Sequence, residues 1–186
     1  MPRTTNPTRL YLDVDGAINA DEPPFSSVKS TRVQIDYGGG MMSRLPLTWA
    51  PEVVDQLDAL RTEFALELVW LSTWNEMHAS MTRLAPALGG LFGGRAIMDA
   101  DAVSMDRGRG WWKAQSIILD QEASPAPFVW IDDEAVMAHG SLVAEATAGT
   151  PSLRLTTVYE HGIERLHLAQ MRSFLEGLPI ESVVAP

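Results

Sequence analysis

Asp13-Val14-Asp15-Gly16, with Asn19 shortly after, sets two carboxylates two residues apart at the end of the apolar run Leu10 to Val14. Alternate side chains of a strand share a face, so Asp13 and Asp15 are expected to point together into one crevice. Such crowding calls for a countercharge. A hard divalent cation such as Mg²⁺ supplies it, because it prefers carboxylate and carbonyl oxygens and keeps waters that a phosphate can displace. Taken alone, the same four residues are also an ordinary acidic turn, where Asp and Gly serve local hydrogen bonding and backbone geometry.

Three further clusters weigh against the ordinary turn. Asp132-Asp133 follows Phe128-Val129-Trp130-Ile131 and offers a second pair of carboxylates from another strand end; by itself it also fits the first turn of a helix, which welcomes acidic groups. Ser72 ends Leu68-Val69-Trp70-Leu71, and with Thr73 and the following amides it can bind a phosphate oxygen at a helix N-terminus. Its plain alternative is a helix cap. Lys113 falls in the first turn of a predicted helix, where it opposes the helix dipole and is better matched by an anionic partner, a surface lysine being the alternative. The order also discriminates: a phosphoacceptor receiver domain uses a similar kit with the acidic pair first and the lysine last, whereas here Lys113 precedes Asp132-Asp133.

These groups need elements to position them. Leu10 to Val14, Leu66 to Leu71 and Pro127 to Ile131 read as buried strands that each deliver polar residues at their carboxyl end. Helical patterns lie between them at Pro51 to Phe64, Asn75 to Leu88 and Gly110 to Glu122. Alternation of strand and helix predicts an α/β fold with right-handed crossovers and a parallel sheet, in which ligands bind beyond the carboxyl ends of the strands. Ser152 to Val158 reads as a further strand and Gly162 to Leu178 as a closing amphipathic helix, with Ile163, Leu166, Met171, Phe174 and Leu175 expected in the core. Arg95 to Met98 reads as a short strand. The irregular stretch from about 20 to 48, with Pro23-Pro24, the run Gly38-Gly39-Gly40 and β-like runs such as Arg32 to Tyr37, is expected to be a flap or hairpin over the site; Glu181 to Pro186 is expected to be a frayed tail.

Composition bounds the rest. With 186 residues, 46% hydrophobic and 20% charged, the chain is expected to be one domain with a sizeable core. There are no cysteines, so a metal must be held by oxygen or by the four histidines. No apolar run approaches the roughly 18 residues that span a bilayer, and the first residues lack the apolar core of a signal peptide, so a soluble cytoplasmic protein is expected. A net charge of -10 argues against extended binding along duplex nucleic acid, which needs a basic stripe, but not against gripping one phosphate at a metal.

DVDGAIN (Asp13 to Asn19), LVWLST (Leu68 to Thr73), Lys113 and VWIDDE (Val129 to Glu134) together resemble the four ordered motifs of the haloacid dehalogenase (HAD) superfamily of phosphatases, across about residues 9 to 140. The resemblance implies a three-layer Rossmann-like fold, a central parallel sheet with helices on both faces, and here a small flap instead of a full cap domain. It implies Mg²⁺-dependent phosphomonoester hydrolysis, with Asp13 as nucleophile forming an aspartyl-phosphate and Asp15 as general acid and then base. Ser72 would bind the phosphoryl group, helped by Thr73, Gly16 and Asn19, and Lys113 would neutralise charge. The metal would be held by Asp13, the Asp15 carbonyl and one of Asp132 and Asp133, with Asp133 favoured and Asp132 assigned to Lys113.

WLSTWN and the tryptophans beside the motifs, Trp70, Trp74, Trp111, Trp112 and Trp130, resemble more particularly the HAD domains of RNA-repair proteins. Trp70 and Trp130 lie inside apolar strands and are expected to pack in the core, whereas Trp74, Trp111 and Trp112 are left open as packing residues or base platforms. His78, His139, His161 and His167 lack metal-ligand spacing and are read as surface or capping residues. A capless site is expected to admit large phosphorylated substrates, nucleic-acid ends among them, besides small monoesters. Two other functions fit the same residues: a catalytically silent phosphate- or partner-binding module, and a phosphotransferase to an acceptor other than water.

Overall fold

The computed structural model describes residues 6–36, 42–77, 80–97 and 110–178. The expected strand at Arg95 to Met98 lies partly outside them; Gly38-Gly39-Gly40, His78 and the tail Glu181 to Pro186 lie wholly outside.

Five strands form one parallel sheet: β1 (Arg9–Leu12), β4 (Glu67–Trp70), β5 (Arg95–Ala96), β6 (Phe128–Asp132) and β7 (Ser152–Thr156), in the order β5-β4-β1-β6-β7. The remaining two, β2 (Lys29–Asp36) and β3 (Met42–Trp49), make a separate antiparallel hairpin, the expected flap. The described α-helices are α1 (Pro51–Glu63), α2 (Ala85–Leu88), α3 (Trp111–Ala123), α4 (Ala135–Ala146) and α5 (Arg165–Glu176).

The central strands are apolar throughout because both faces are covered, the usual condition of a parallel sheet. Period-two alternation divides them. Leu10, Leu12, Leu68, Trp70, Val129 and Ile131 join α1, α5 and the hairpin in one core, while Tyr11, Val69, Leu71, Phe128 and Trp130 join α3 and α4 in the other. This is the three-layer architecture. Trp70 and Trp130 are fully buried, one on each face.

Four local expectations are corrected. β1 stops at Leu12 and the chain turns from Val14 onward, so strand alternation does not orient Asp13 and Asp15. The stretch Asn75 to Leu88 is no continuous α-helix: a 3₁₀ turn (Thr73–Met77) and a π turn (Ser80–Leu84) precede the single turn of α2. Pro86 accounts for the last of these breaks, between the π turn and α2, since it has no N–H for a bond one turn back and its ring crowds that position. Strand β7 ends at Thr156, before Val158. In the closing helix Leu166 is 65% exposed and Leu168 is buried in its place, because at about 100° per residue Leu166 falls on the side opposite Leu175 whereas Leu168 shares the face of Met171 and Leu175. Helix α4 was not anticipated as an element. Glu164 and His167 form a reciprocal cap at the start of α5, which gives that histidine its capping role.

Candidate functional site

The register Leu12↔Trp70 and Leu12↔Ile131 brings the ends of β4 and β6 to either side of the end of β1. Residues some 60 and 120 positions apart therefore meet at the switch point of the sheet, between β1, whose chain runs on to β4 and β5, and β6, whose chain runs the other way to β7. Asp13 leaves β1 with its amide still bonded to the Ile131 carbonyl at 3.1 Å, and its Oδ1 accepts the Val14 N–H at 2.7 Å. Lys113, on the first turn of α3, donates to Asp13 Oδ2 at 2.6 Å and to Asp132 Oδ2 at 2.7 Å. All three side chains are buried. The lysine is thus no surface residue but a cation between two carboxylates.

Asp132 is fully engaged. Its Oδ1 accepts the Glu134 and Ala135 N–H groups at 3.0 and 2.6 Å, which satisfies donors at the start of α4 and leaves Oδ2 for Lys113. Asp133, half-buried, turns instead toward Gly16 and forms no salt bridge among the described residues. Gly16 makes that approach possible. It adopts φ +71°, and a Cβ there would lie 2.6 Å from Asp133 Cγ. Carboxylate oxygens of Asp13, Asp132 and Asp133 fall within 4.8 Å of one another.

Three carboxylates around one ammonium leave an excess of negative charge. Burial, opposed by Lys113 and aided by Asp132, pushes the Asp13 carboxyl up to about 7. Burial and Asp132 also raise Asp133. Burial would lower Lys113, but Asp13 and Asp132 outweigh it and hold the ammonium charged. An oxygen-only donor set that is under-neutralised and partly preformed fits a hard cation such as Mg²⁺.

Asp15, half-buried, forms no salt bridge among the described residues. Asn19 Nδ2 donates to its Oδ1 at 2.7 Å and the Trp74 indole N–H to its Oδ2 at 2.9 Å. Asn19 is itself tied to the hairpin, accepting from the Thr48 N–H at 2.8 Å and donating to the Pro46 carbonyl at 3.3 Å. Ser72, 1% exposed, lies just past the end of β4, and its Oγ lies 3.4 Å from the Trp74 amide, a loose capping contact; Thr73 is exposed.

Trp74 and Trp112 are each 2% exposed, so neither is free to stack on a base. Trp111 is half-exposed and packs edge-on against His139, with ring centroids 5.3 Å apart.

Sequence reasoning missed two participants. Thr157, buried just past β7, donates its hydroxyl to the Gly16 carbonyl at 2.5 Å and so anchors the turn that carries Asp15. Its signal was a threonine closing an apolar run. Tyr159 stands half-exposed in the following turn; burial and the carboxylates of Asp15, Asp21 and Asp133 raise its hydroxyl, which marks it as a rim residue. Among the described residues no helix is long and apolar enough to cross a membrane.

Residues 9–157 match the model of a family described as the HAD domain in Swiss Army Knife RNA repair proteins. No curated protein matches the chain.

Proposed function

The chain belongs to that family of HAD domains, and from this membership we propose that it is a Mg²⁺-dependent phosphohydrolase that cleaves phosphomonoesters through an aspartyl-phosphate on Asp13. One observation carries the reading: the buried Lys113 ammonium lies within 2.7 Å of both Asp13 and Asp132, while Asp133 stands beside them with no salt bridge among the described residues. Such a nucleophile is held in place by a cation and a backbone amide rather than by packing alone.

In the proposed reaction one oxygen of Asp13 bonds to phosphorus as the ester P–O bond breaks, and Asp15 passes its proton to the departing oxygen. A water then attacks the phosphoryl group, gives a proton to Asp15 and restores the Asp13 carboxylate. Lys113 offsets charge on Asp13 and on the transferring group, and Ser72 with the amides that follow it binds a phosphoryl oxygen. Asp13, the Asp15 carbonyl and Asp133 would hold Mg²⁺, since Asp132 already serves Lys113 and α4. The ion's contribution is to offset repulsion between an anionic nucleophile and an anionic substrate.

The substrate class we propose is the phosphorylated end of an RNA, in keeping with the family's description. Two features support it: the hairpin is a small flap rather than a cap domain, and Trp111 and Tyr159 keep exposed aromatic surface. Activity is tested with p-nitrophenyl phosphate, with and without Mg²⁺, for wild type and Asp13→Asn. Loss of about 10³-fold or more is expected in the variant. Turnover by Asp13→Asn equal to wild type would refute the nucleophile. The substrate class is tested on a panel; uniformly higher kcat/KM on small sugar phosphates than on phosphorylated oligonucleotides would refute it.

A further inference from the structure

Asp15 is the proposed proton donor, and its two oxygens are gripped from opposite sides. On one side stands Asn19, donating at 2.7 Å; on the other stands Trp74, donating at 2.9 Å from a ring that is 2% exposed. An indole N–H can only donate, so it occupies one lone pair of Oδ2, and no second partner of that oxygen stands among the described residues. The Trp74 ring belongs to the core beneath the sheet, and Asn75, the next residue, donates to the Trp70 and Ile97 carbonyls at 2.9 and 3.1 Å. The indole therefore comes from a segment that is itself tied down. Asn19 in turn is held by Thr48 and Pro46 of the β2–β3 hairpin.

We propose that Trp74 and Asn19 are positioning residues that clamp Asp15 between the end of β4 and the hairpin, so that its free lone pairs face the leaving-group oxygen. This rests on Asp15 being the general acid. A proton donor must sit within hydrogen-bond reach of the atom it protonates, and β1 ends too early for strand geometry to aim Asp15. The clamp supplies that aim. It also makes the hairpin part of the catalytic geometry, because the amide that orients Asp15 is the one the hairpin orients.

The clamp is tested by leaving-group dependence, which a purely structural role would not alter. Departure of an alkoxide requires the proton from Asp15, whereas p-nitrophenolate departs largely without it. Wild type, Trp74→Phe and Asn19→Leu are compared on p-nitrophenyl phosphate and on glycerol 2-phosphate, with Asp13→Asn as control and thermal melts to verify folding. Trp74→Phe keeps the ring and removes the donor; Asn19→Leu keeps the volume and removes the amide. In either variant kcat on the alkyl ester is expected to fall roughly tenfold or more beyond its fall on the aryl ester, with KM little changed, a part of the usual general-acid contribution. Equal losses on both esters, or a change confined to KM, would overturn the clamp. Should Trp74→Phe fail to fold, the ratio measured for Asn19→Leu decides. An Asp13→Asn protein as active as wild type would instead remove the phosphatase reading, and the clamp with it.

Discussion

At the amino end of the sheet Arg9 and Arg95 face Glu67 and Asp120, two cations for two carboxylates, while at the carboxyl end Lys113 is the one cation among the described residues that meets the group Asp13, Asp132 and Asp133. Both clusters join α3 to the strands. The first is closed: Asp120 Oδ2 accepts from Tyr11 at 2.5 Å and from Arg95 at 2.6 Å, Gln121 donates to the Tyr11 hydroxyl at 3.0 Å, and Arg9 also reaches the Ser124 carbonyl at 2.6 Å. Burial would raise Asp120, yet Arg95 and Tyr11 hold it low. In the second cluster burial wins, and Asp13 and Asp133 are raised. A charge-balanced network spends its interactions on holding elements together, whereas an under-neutralised one keeps affinity in reserve for a cation. Helix α3 carries Lys113 and Asp120 seven positions apart, a rise of about 10 Å, and so sets one cluster against the other.

The comparison breaks most directly at its carboxyl end. Lys113→Met strands two buried carboxylates, and we expect a loss of about 3–5 kcal/mol in the absence of metal, read by chemical denaturation, together with loss of turnover. Added Mg²⁺ should recover part of that stability; a variant as stable as wild type would mean that the pair contributes nothing. Next in size is Gly16→Ala, which meets both a left-handed backbone and the Asp133 carboxylate. A loss of about 1–3 kcal/mol is expected, with weaker Mg²⁺ binding by calorimetry.

At the amino end, Asp120→Asn should cost about 1–3 kcal/mol by leaving Arg95 and Tyr11 with a poorer partner, but it should leave the Mg²⁺-induced rise in Tm unchanged. A change in that rise would erase the distinction between the two ends. The last effect is one of pH. Because the folded-state value of Asp13 lies above the ordinary 3.8, its contribution to the metal-free protein is full below about pH 4 and is lost as pH rises through about 7. Asp13→Asn should flatten that part of the stability profile, and Mg²⁺ affinity should rise over the same window as the ion displaces the proton.

Much of this was legible in the chain itself. Strand ends announced themselves through apolar runs that terminate in Asp13, Ser72 and Asp132, and α1 through Pro51 at its first turn. The second segment misled because a helical apolar pattern persists across Pro86, and periodicity does not register a missing N–H. Leu166 misled because an apolar residue was counted without its angle: it stands on the side of the helix opposite Leu175, and Leu168 takes the core position. Asn19 is expected to help Ser72 bind the phosphoryl group, and the structure shows in addition its amide bonded to Asp15 and the hairpin. No local pattern could pair it with Trp74 around one carboxylate.

What the sequence by itself determined is the set of parts: apolar strands with acidic ends, a glycine after the second carboxylate, and a lysine in a helix's first turn. These follow from preferences that act within a few residues. Tertiary structure alone decided that Lys113 meets Asp13 and Asp132, that Asp133 rests on Gly16, and that an indole 59 residues away holds Asp15. Such pairings depend on strand order and register, which are settled by burying both faces of the whole sheet at once.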